Sequence, residues 1–274
     1  MVSSLVDTSD SLRPGDSVAL VTDQLRNLIL EGEFQPGQRL VQGDLAAKLG
    51  AGRTPLREAV RTLQAEGLLI SSANRGVTVS SVTLESVEEV YGIRLLLEAP
   101  LSAALIARFG EEQLAGMEAC LEEMASLRTR HRDFQRAHRD FHQAQLDLYG
   151  EETSRMIEQI HRRVFWHQRV YMSRPSVPED FIDLDQLTFD AIRARDETLV
   201  RRATEFHLID AALGLILDVD PDHQFGPLLT AVTGAGIALD VNDRGQIARP
   251  SSISWSNGPI NLPALKTTNL VFTP

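Results

Sequence analysis

Arg53-Thr54-Pro55-Leu56-Arg57-Glu58-Ala59-Val60-Arg61-Thr62-Leu63, closed by Gly67, is the stretch that decides the fold of the N-terminal part. Leu56, Val60 and Leu63 recur at helical spacing, with Pro55 in the first turn and Gly67 just past the end, so an amphipathic helix is predicted. Arg53, Arg57 and Arg61 recur every four residues and share one stripe, away from the apolar positions. A DNA major groove admits one helix, and arginine pairs bidentately with guanine or clamps phosphate. Thr54, near the helix N-terminus, adds a hydroxyl where the helix dipole already favours an anion. Arginines at this spacing also occur on solvated helix faces, so the flanking elements have to decide between the two readings.

Working outward, Val18, Val21, Leu25, Leu28 and Ile29 mark a first helix that Ser17 can cap and Gly32 ends. The turn Gln35-Pro36-Gly37 follows, then a short amphipathic stretch from Asp44 to Leu49, stopped by Gly50. Leu68–Ser72 and Gly76–Ser80, joined by Ala73-Asn74-Arg75, read as a β-hairpin with Arg75 at its tip. Three helices and a hairpin within residues 16–80 form the pattern of a winged helix-turn-helix, whose wing would carry Arg75 to the DNA backbone or minor groove. Residues 1–15 are polar and expected to be mobile.

Gln35-Pro36-Gly37-Gln38-Arg39-Leu40, Leu45-Ala46 to Leu49-Gly50, Arg53-Thr54-Pro55-Leu56-Arg57-Glu58-Ala59 to Leu63, Glu66-Gly67-Leu68 and Asn74-Arg75-Gly76 resemble, in register, the DNA-binding domain of the GntR family of bacterial transcription regulators. The resemblance implies DNA contacts at Arg53, Thr54, Arg57, Arg75 and Gly76; the helical stripe adds Arg61. Two departures touch base preference. Val41-Gln42-Gly43 stands where the family has a Ser-Glu-Arg-type start to its second helix, and Gly52 stands where Ser is common.

The chain has 274 residues, 43% hydrophobic and 24% charged, which excludes collagen-like, mucin-like and wholly disordered chains and allows one large or two modest domains. A net charge of −11 argues against a nucleic-acid partner until it is located. Residues 1–80 hold 8 Lys+Arg against 9 Asp+Glu, a net of −1, and the remainder holds 19 against 29, a net of −10. The acidic excess therefore belongs to the C-terminal part, and DNA binding is expected to rest on a small basic footprint that is markedly salt-sensitive. Cys120 is the single cysteine, so neither an internal disulfide nor a Cys-rich zinc site can form, and a reducing, cytoplasmic location is expected. The first residues lack a basic segment followed by an apolar one, and the uncharged run His223–Leu239 is interrupted by Gly226, Pro227, Gly234 and Gly236, so neither a secretory signal nor a membrane span is expected.

From Thr83 to Val219, Leu, Ala, Glu and Arg repeat every three to four residues, with breaks near Phe109-Gly110, Tyr149-Gly150, Ser173–Glu179 and Ala194–Asp196. A bundle of about six helices is expected over 83–219. The fold class is thus mainly α: a winged helix-turn-helix, then an all-α antiparallel bundle. Residues 221–274 form an extension that reads either as a β-rich appendage, with Asn242-Asp243-Arg244-Gly245 as a hairpin turn, or as a flexible tail.

In the bundle, His138 and His142 lie four apart and share a helix face, while Asp185 and His207 each stand 11 residues from Asp196 and come level in a helix pair hinged there. Three imidazoles and a carboxylate would converge as ligands suited to Zn, Ni, Mn or Fe. The competing reading is that of surface or hydrogen-bonded helical histidines.

Thr83–Leu217 is similar to the FadR-type C-terminal effector domain, through Arg94-Leu95-Leu96-Leu97-Glu98, Phe141-His142, Ala191-Ile192, Asp196 and His207. In many members one Asp and three His hold a metal. Here His138 stands where the family has Asp and Asp185 where it has His, so the ligand set is kept by a double exchange. The resemblance implies a divalent metal that helps to hold a small organic acid, with Arg94 and Arg162 as candidate clamps or, equally, structural ion-pair partners. The function expected is a transcription regulator, a homodimer on a pseudo-palindromic double-stranded operator, with effector binding biasing DNA affinity and no membrane partner. The alternative is a metal-dependent, hydrolase-like helical protein with an accessory DNA-binding module, although four protein ligands crowd a metal more than hydrolysis prefers.

Overall fold

The structure, a computed structural model, describes residues 14–72, 76–127, 131–171, 179–256 and 262–274, arranged in two compact units, Met1–Ser81 and Val82–Pro274. Of residues 1–15, expected to be mobile, 1–13 lie outside the described residues and Pro14 and Gly15 belong instead to the first helix; residues 73–75, Arg75 among them, also lie outside the described residues.

In the first unit the order is α1 (Pro14–Leu30), β1 (Arg39–Leu40), α2 (Gln42–Leu49), α3 (Arg53–Ala65), β2 (Leu69–Ser72) and β3 (Gly76–Val79). The first helix begins at Pro14 and leaves Ser17 inside it rather than at its cap. Proline lacks the N–H that a first turn cannot use and presets its φ, so it opens a helix well. Gly50 ends α2 at φ 60. The strands form an antiparallel sheet in the order β1-β3-β2. Strand β1 has only two residues, too few to show an alternation, and is a strand because Arg39 and Leu40 pair with Thr78 and Val77. Leu25 and Ile29 of α1, Leu56 and Leu63 of α3 and Val79 of β3 are buried together in this unit, and Arg26 braces α1 with a bidentate pair to Glu66, at 3.0 and 2.8 Å.

The second unit opens with α4 (Leu84–Ala104), α5 (Glu111–Ser126), α6 (His131–Leu146), α7 (Glu151–Tyr171), α8 (Glu179–Arg193) and α9 (Glu197–Leu217), the six helices the periodicity predicts. Thr83 and Ser86 cap α4 reciprocally, each hydroxyl accepting the other's backbone N–H. Arg195, in the left-handed region at φ 59, turns the chain, and the Asp196 carboxylate accepts the Leu199 N–H to start α9. A break unmarked by glycine or proline separates α5 from α6, and residues 128–130 within it lie outside the described set.

Residues 221–274 fold as α10 (Pro227–Gly234), β4 (Ile237–Leu239), β5 (Ser251–Trp255), β6 (Leu265–Lys266) and β7 (Leu270–Phe272), with strand order β4-β5-β7-β6. The Asn242 turn forms as expected, its carboxamide oxygen accepting the N–H groups of Arg244 and Gln246. The segment has no core of its own. Ile237, Ile253, Trp255, Leu270 and Phe272 join Tyr91, Leu95, Phe206 and Leu213 in one core, so 54 residues that could not close alone do so against α4 and α9. Helix α10, which carries no amphipathic period of note in eight residues, is fixed at its start by the buried Glu88 carboxylate, which accepts from Gly226 N at 2.8 Å and Leu228 N at 3.1 Å. Among the described residues no helix is long and apolar enough to cross a membrane.

Candidate functional site

Two constellations stand out, one in each unit. On α3, Leu56, Ala59, Val60 and Leu63 are buried, which leaves Arg53, Thr54, Arg57 and Arg61 exposed on the opposite side. Arg57 and Arg61 both approach Glu58, at 3.4 and 3.2 Å. Such exposed pairs are weak, so a phosphate can displace them. Helix α2 faces the same notch, which is lined by Gln42, Gly43 and Ala46 together with Arg53, Thr54, Leu56 and Arg57. Gln42 is a lining residue that the sequence pattern did not single out, because its role depends on where α2 crosses α3. Gly76 sits at the start of β3 with φ 87, a conformation that glycine reaches without strain.

In the second unit, α6 places His138 and His142 one turn apart, α8 supplies Asp185 and α9 supplies His207. One ligand atom from each lies within 4.8 Å of all the others. The two Nε2 atoms of His138 and His142 are 3.0 Å apart, and Asp185 Oδ2 and Oδ1 stand 3.4 Å from His138 Nε2 and 3.6 Å from His142 Nε2, with His207 Nδ1 at 3.8 Å. Asp185 is 1% exposed, and its Oδ2 is buried without a hydrogen-bond partner.

Burial pushes the Asp185 carboxyl well above the carboxylate range. Burial also lowers the imidazoles: His138 and His142 fall well below their usual range with help from the neighbouring His207, and His207 falls to about 4 with help from Arg94. The imidazoles therefore keep lone pairs to offer, and the carboxylate lacks a counter-charge. An orphaned carboxylate oxygen beside three neutral imidazoles is a donor set that fits a divalent ion of the Zn, Ni, Mn or Fe type.

Against this quartet lies a cavity of about 30 Å³ whose lining includes Tyr91, Arg94, Arg139, His161, Gln168 and Ala211. As it stands it has room for about two water molecules, so a larger ligand enters only if the lining side chains move. Arg94 is buried in it and already held: its Nε and Nη2 donate to the two Glu98 oxygens at 3.0 and 3.1 Å, and His161 Nε2 lies 3.1 Å from the same carboxylate. Burial alone would raise Glu98, but Arg94 and His161 outweigh it and hold the carboxyl at about 2. The Tyr91 hydroxyl is buried and faces Gln168 and Arg94. Arg162 does not line the cavity. It is one residue past His161, and 100° of helical rotation puts it beside the face that His161, Val164 and Gln168 present. Tyr91, His161 and Gln168 were invisible to spacing arguments because they become neighbours only when α4 and α7 pack.

Residues 18–79 match the family described as bacterial regulatory proteins, gntR family, and residues 89–210 match the FCD domain. Residues 18–79 are a gntR-family domain and residues 89–210 an FCD domain. The HTH-type transcriptional regulator YdhC of Bacillus subtilis (strain 168) is 39% identical over 101 residues, 37% of this chain and 45% of that protein, so the match spans less than half of that relative. The HTH-type transcriptional repressor GlaR of Escherichia coli (strain K12) is 29% identical over 199 residues, 68% of this chain and 89% of GlaR. Among solved structures, E. coli McbR/YncC is similar with a TM-score of 0.65 at 23% identity, covering 74% of this chain and 99% of that one, a likeness of fold. The two family matches end at residue 210, before the extension begins.

Proposed function

We propose that this chain is a transcription regulator, acting as a homodimer on a pseudo-palindromic double-stranded operator, whose affinity is set by a small organic acid bound at a divalent metal centre in its FCD domain. The observation that carries the reading is the convergence of His138, His142, Asp185 and His207 beside a buried arginine, in a chain whose other unit exposes the Arg53–Arg61 stripe. Both named relatives are described as transcriptional regulators, which favours a binding protein over a hydrolase.

The ion, when bound, supplies open positions for a carboxylate oxygen. The protein's own groups do the rest. Asp185 and the three imidazoles hold the ion, Arg94 steadied by Glu98 clamps the far oxygen, and the Tyr91 hydroxyl donates to a polar substituent. In the other unit Arg53, Thr54, Arg57 and Arg61, with Arg75 and Gly76 at the wing, contact the operator. A single module reads one half-site, so two-fold pairing doubles the contacts and fixes the half-site spacing. An effector that prefers one arrangement of the dimer shifts DNA affinity by that preference.

The test combines a thermal-shift screen of small carboxylates, with and without divalent metals, and fluorescence anisotropy on the DNA upstream of the gene. A hit should raise the melting temperature only with metal present and change operator affinity. The Arg53→Ala/Arg57→Ala variant should lose specific binding; unchanged affinity and salt slope in that variant would refute the DNA assignment.

A further inference from the structure

The extension holds the same two helices that line the cavity. On α9, Trp255 Nε1 donates to Glu205 at 2.7 Å, Thr267 Oγ1 donates to the Asp210 carboxylate, Asn269 Nδ2 donates to the Asp210 carbonyl at 3.0 Å, and Arg249 donates to the Leu213 carbonyl at 3.1 Å and to Asp218 at 2.6 Å. The approach is close enough that a Cβ on Gly214 would stand 3.2 Å from Asn269 Nδ2. On α4, the Glu88 carboxylate takes His223 and the start of α10. The same α9 carries His207 and Ala211 into the cavity, and α4 carries Tyr91 and Arg94.

Glu205 and His207 are two residues apart, about 200° around the helix, so one meets the extension while the other meets the ligand quartet. Glu205 is fully buried and satisfied by three donors, Arg201 Nε at 2.9 Å, Arg202 Nη1 at 2.7 Å and Trp255 Nε1. Removing one donor leaves a buried charge to find a new partner, and a packed helix answers by shifting rather than by deforming.

We infer that residues 221–274 form a brace that sets the position of α9, and through it His207, so that Trp255 and Glu205 act as positioning residues for metal affinity. A coordination sphere tolerates displacements of only about 0.2 Å per ligand, so a sub-ångström movement of α9 weakens binding. This inference rests on reading the quartet as a metal centre.

The experiment titrates full-length protein with zinc, and in parallel with manganese, against a competing chelator. Wild type, Trp255→Phe, Glu205→Gln and Asn242→Ala are compared at a temperature where circular dichroism shows each folded. The Asn242 side chain bonds within its own turn, to Arg244 and Gln246, so its variant perturbs the extension away from α9. Trp255→Phe and Glu205→Gln should weaken metal binding about tenfold, the lower end of what loss of a supporting hydrogen bond does to metal sites, while Asn242→Ala leaves it unchanged. Hydrogen exchange in β5 and β7 should slow when metal binds wild type. Wild-type affinity in folded Trp255→Phe would overturn the brace, as would equal weakening in Asn242→Ala. If Glu205→Gln does not fold, Trp255→Phe decides. Wild-type protein that takes up neither metal overturns the metal centre, and the coupling with it, in the first titration and before any variant is compared.

Discussion

At the scale of single residues, the decisive chemistry is charge held out of water. Asp185 and its three histidines favour their neutral forms when buried alone, and a divalent ion reverses that for the carboxylate without disturbing the imidazoles. The His142→Ala/His207→Ala variant, purified without a His tag, should carry negligible metal by elemental analysis where wild type carries about one equivalent per chain. Chelation should lower the melting temperature of wild type and leave that variant unmoved. Glu98 makes a second prediction. Its folded pKa of about 2 lies below the ordinary 4.5, so the contribution of its ionised form is complete above about pH 5 and is lost as the pH falls from 4.5 towards 2. Glu98→Gln should therefore cost about 3 kcal/mol at pH 7 in chemical denaturation, and the gap to wild type should narrow across that acid window. Of these residues, the two pairs of the quartet were legible in the sequence because side chains four apart, and side chains equidistant from a helix break, need only helical geometry to meet; that the pairs converge was implied by the family resemblance and depends on how α6 packs with α8 and α9. Tyr91, His161 and Gln168 were not legible, because nothing along the chain relates α4 to α7.

At the scale of elements, α3 shows how much a strong period carries. Leu56, Ala59, Val60 and Leu63 are buried and its arginines all exposed, with Leu63, fully buried, on a helix that packs against α1. Leu63→Ala should destabilise the protein by about 2–5 kcal/mol, read as a shift in denaturation midpoint with an unchanged slope. The short elements β1 and α10 had no such period. A strand of two residues exists by courtesy of β3, and a helix of eight residues by courtesy of Glu88 and the α4 surface, so both are properties of the packed protein rather than of their own segments. The first helix began earlier than Ser17 suggested because a proline at the first position competes successfully with a serine cap.

At the scale of the whole molecule, charge is segregated: a net of −1 over residues 1–80 and −10 over the rest, with the arginine stripe a local exception within the first segment. Operator affinity should fall steeply between about 50 and 200 mM salt, and substituting one phosphate-binding arginine should reduce the slope of log K against log salt by about one for each phosphate left unneutralised, measured by anisotropy. The order of residues along the chain was enough to place a winged helix-turn-helix, six helices and the two pairs of candidate ligands, since turn residues, periodicity and short-range spacing act within a few residues of themselves. Whether the last 54 residues were a tail or a fold was decided only in three dimensions. Their apolar side chains are too few to close a core, and become one only against α4 and α9, so the same burial that folds them also ties them to the helices that carry Arg94 and His207.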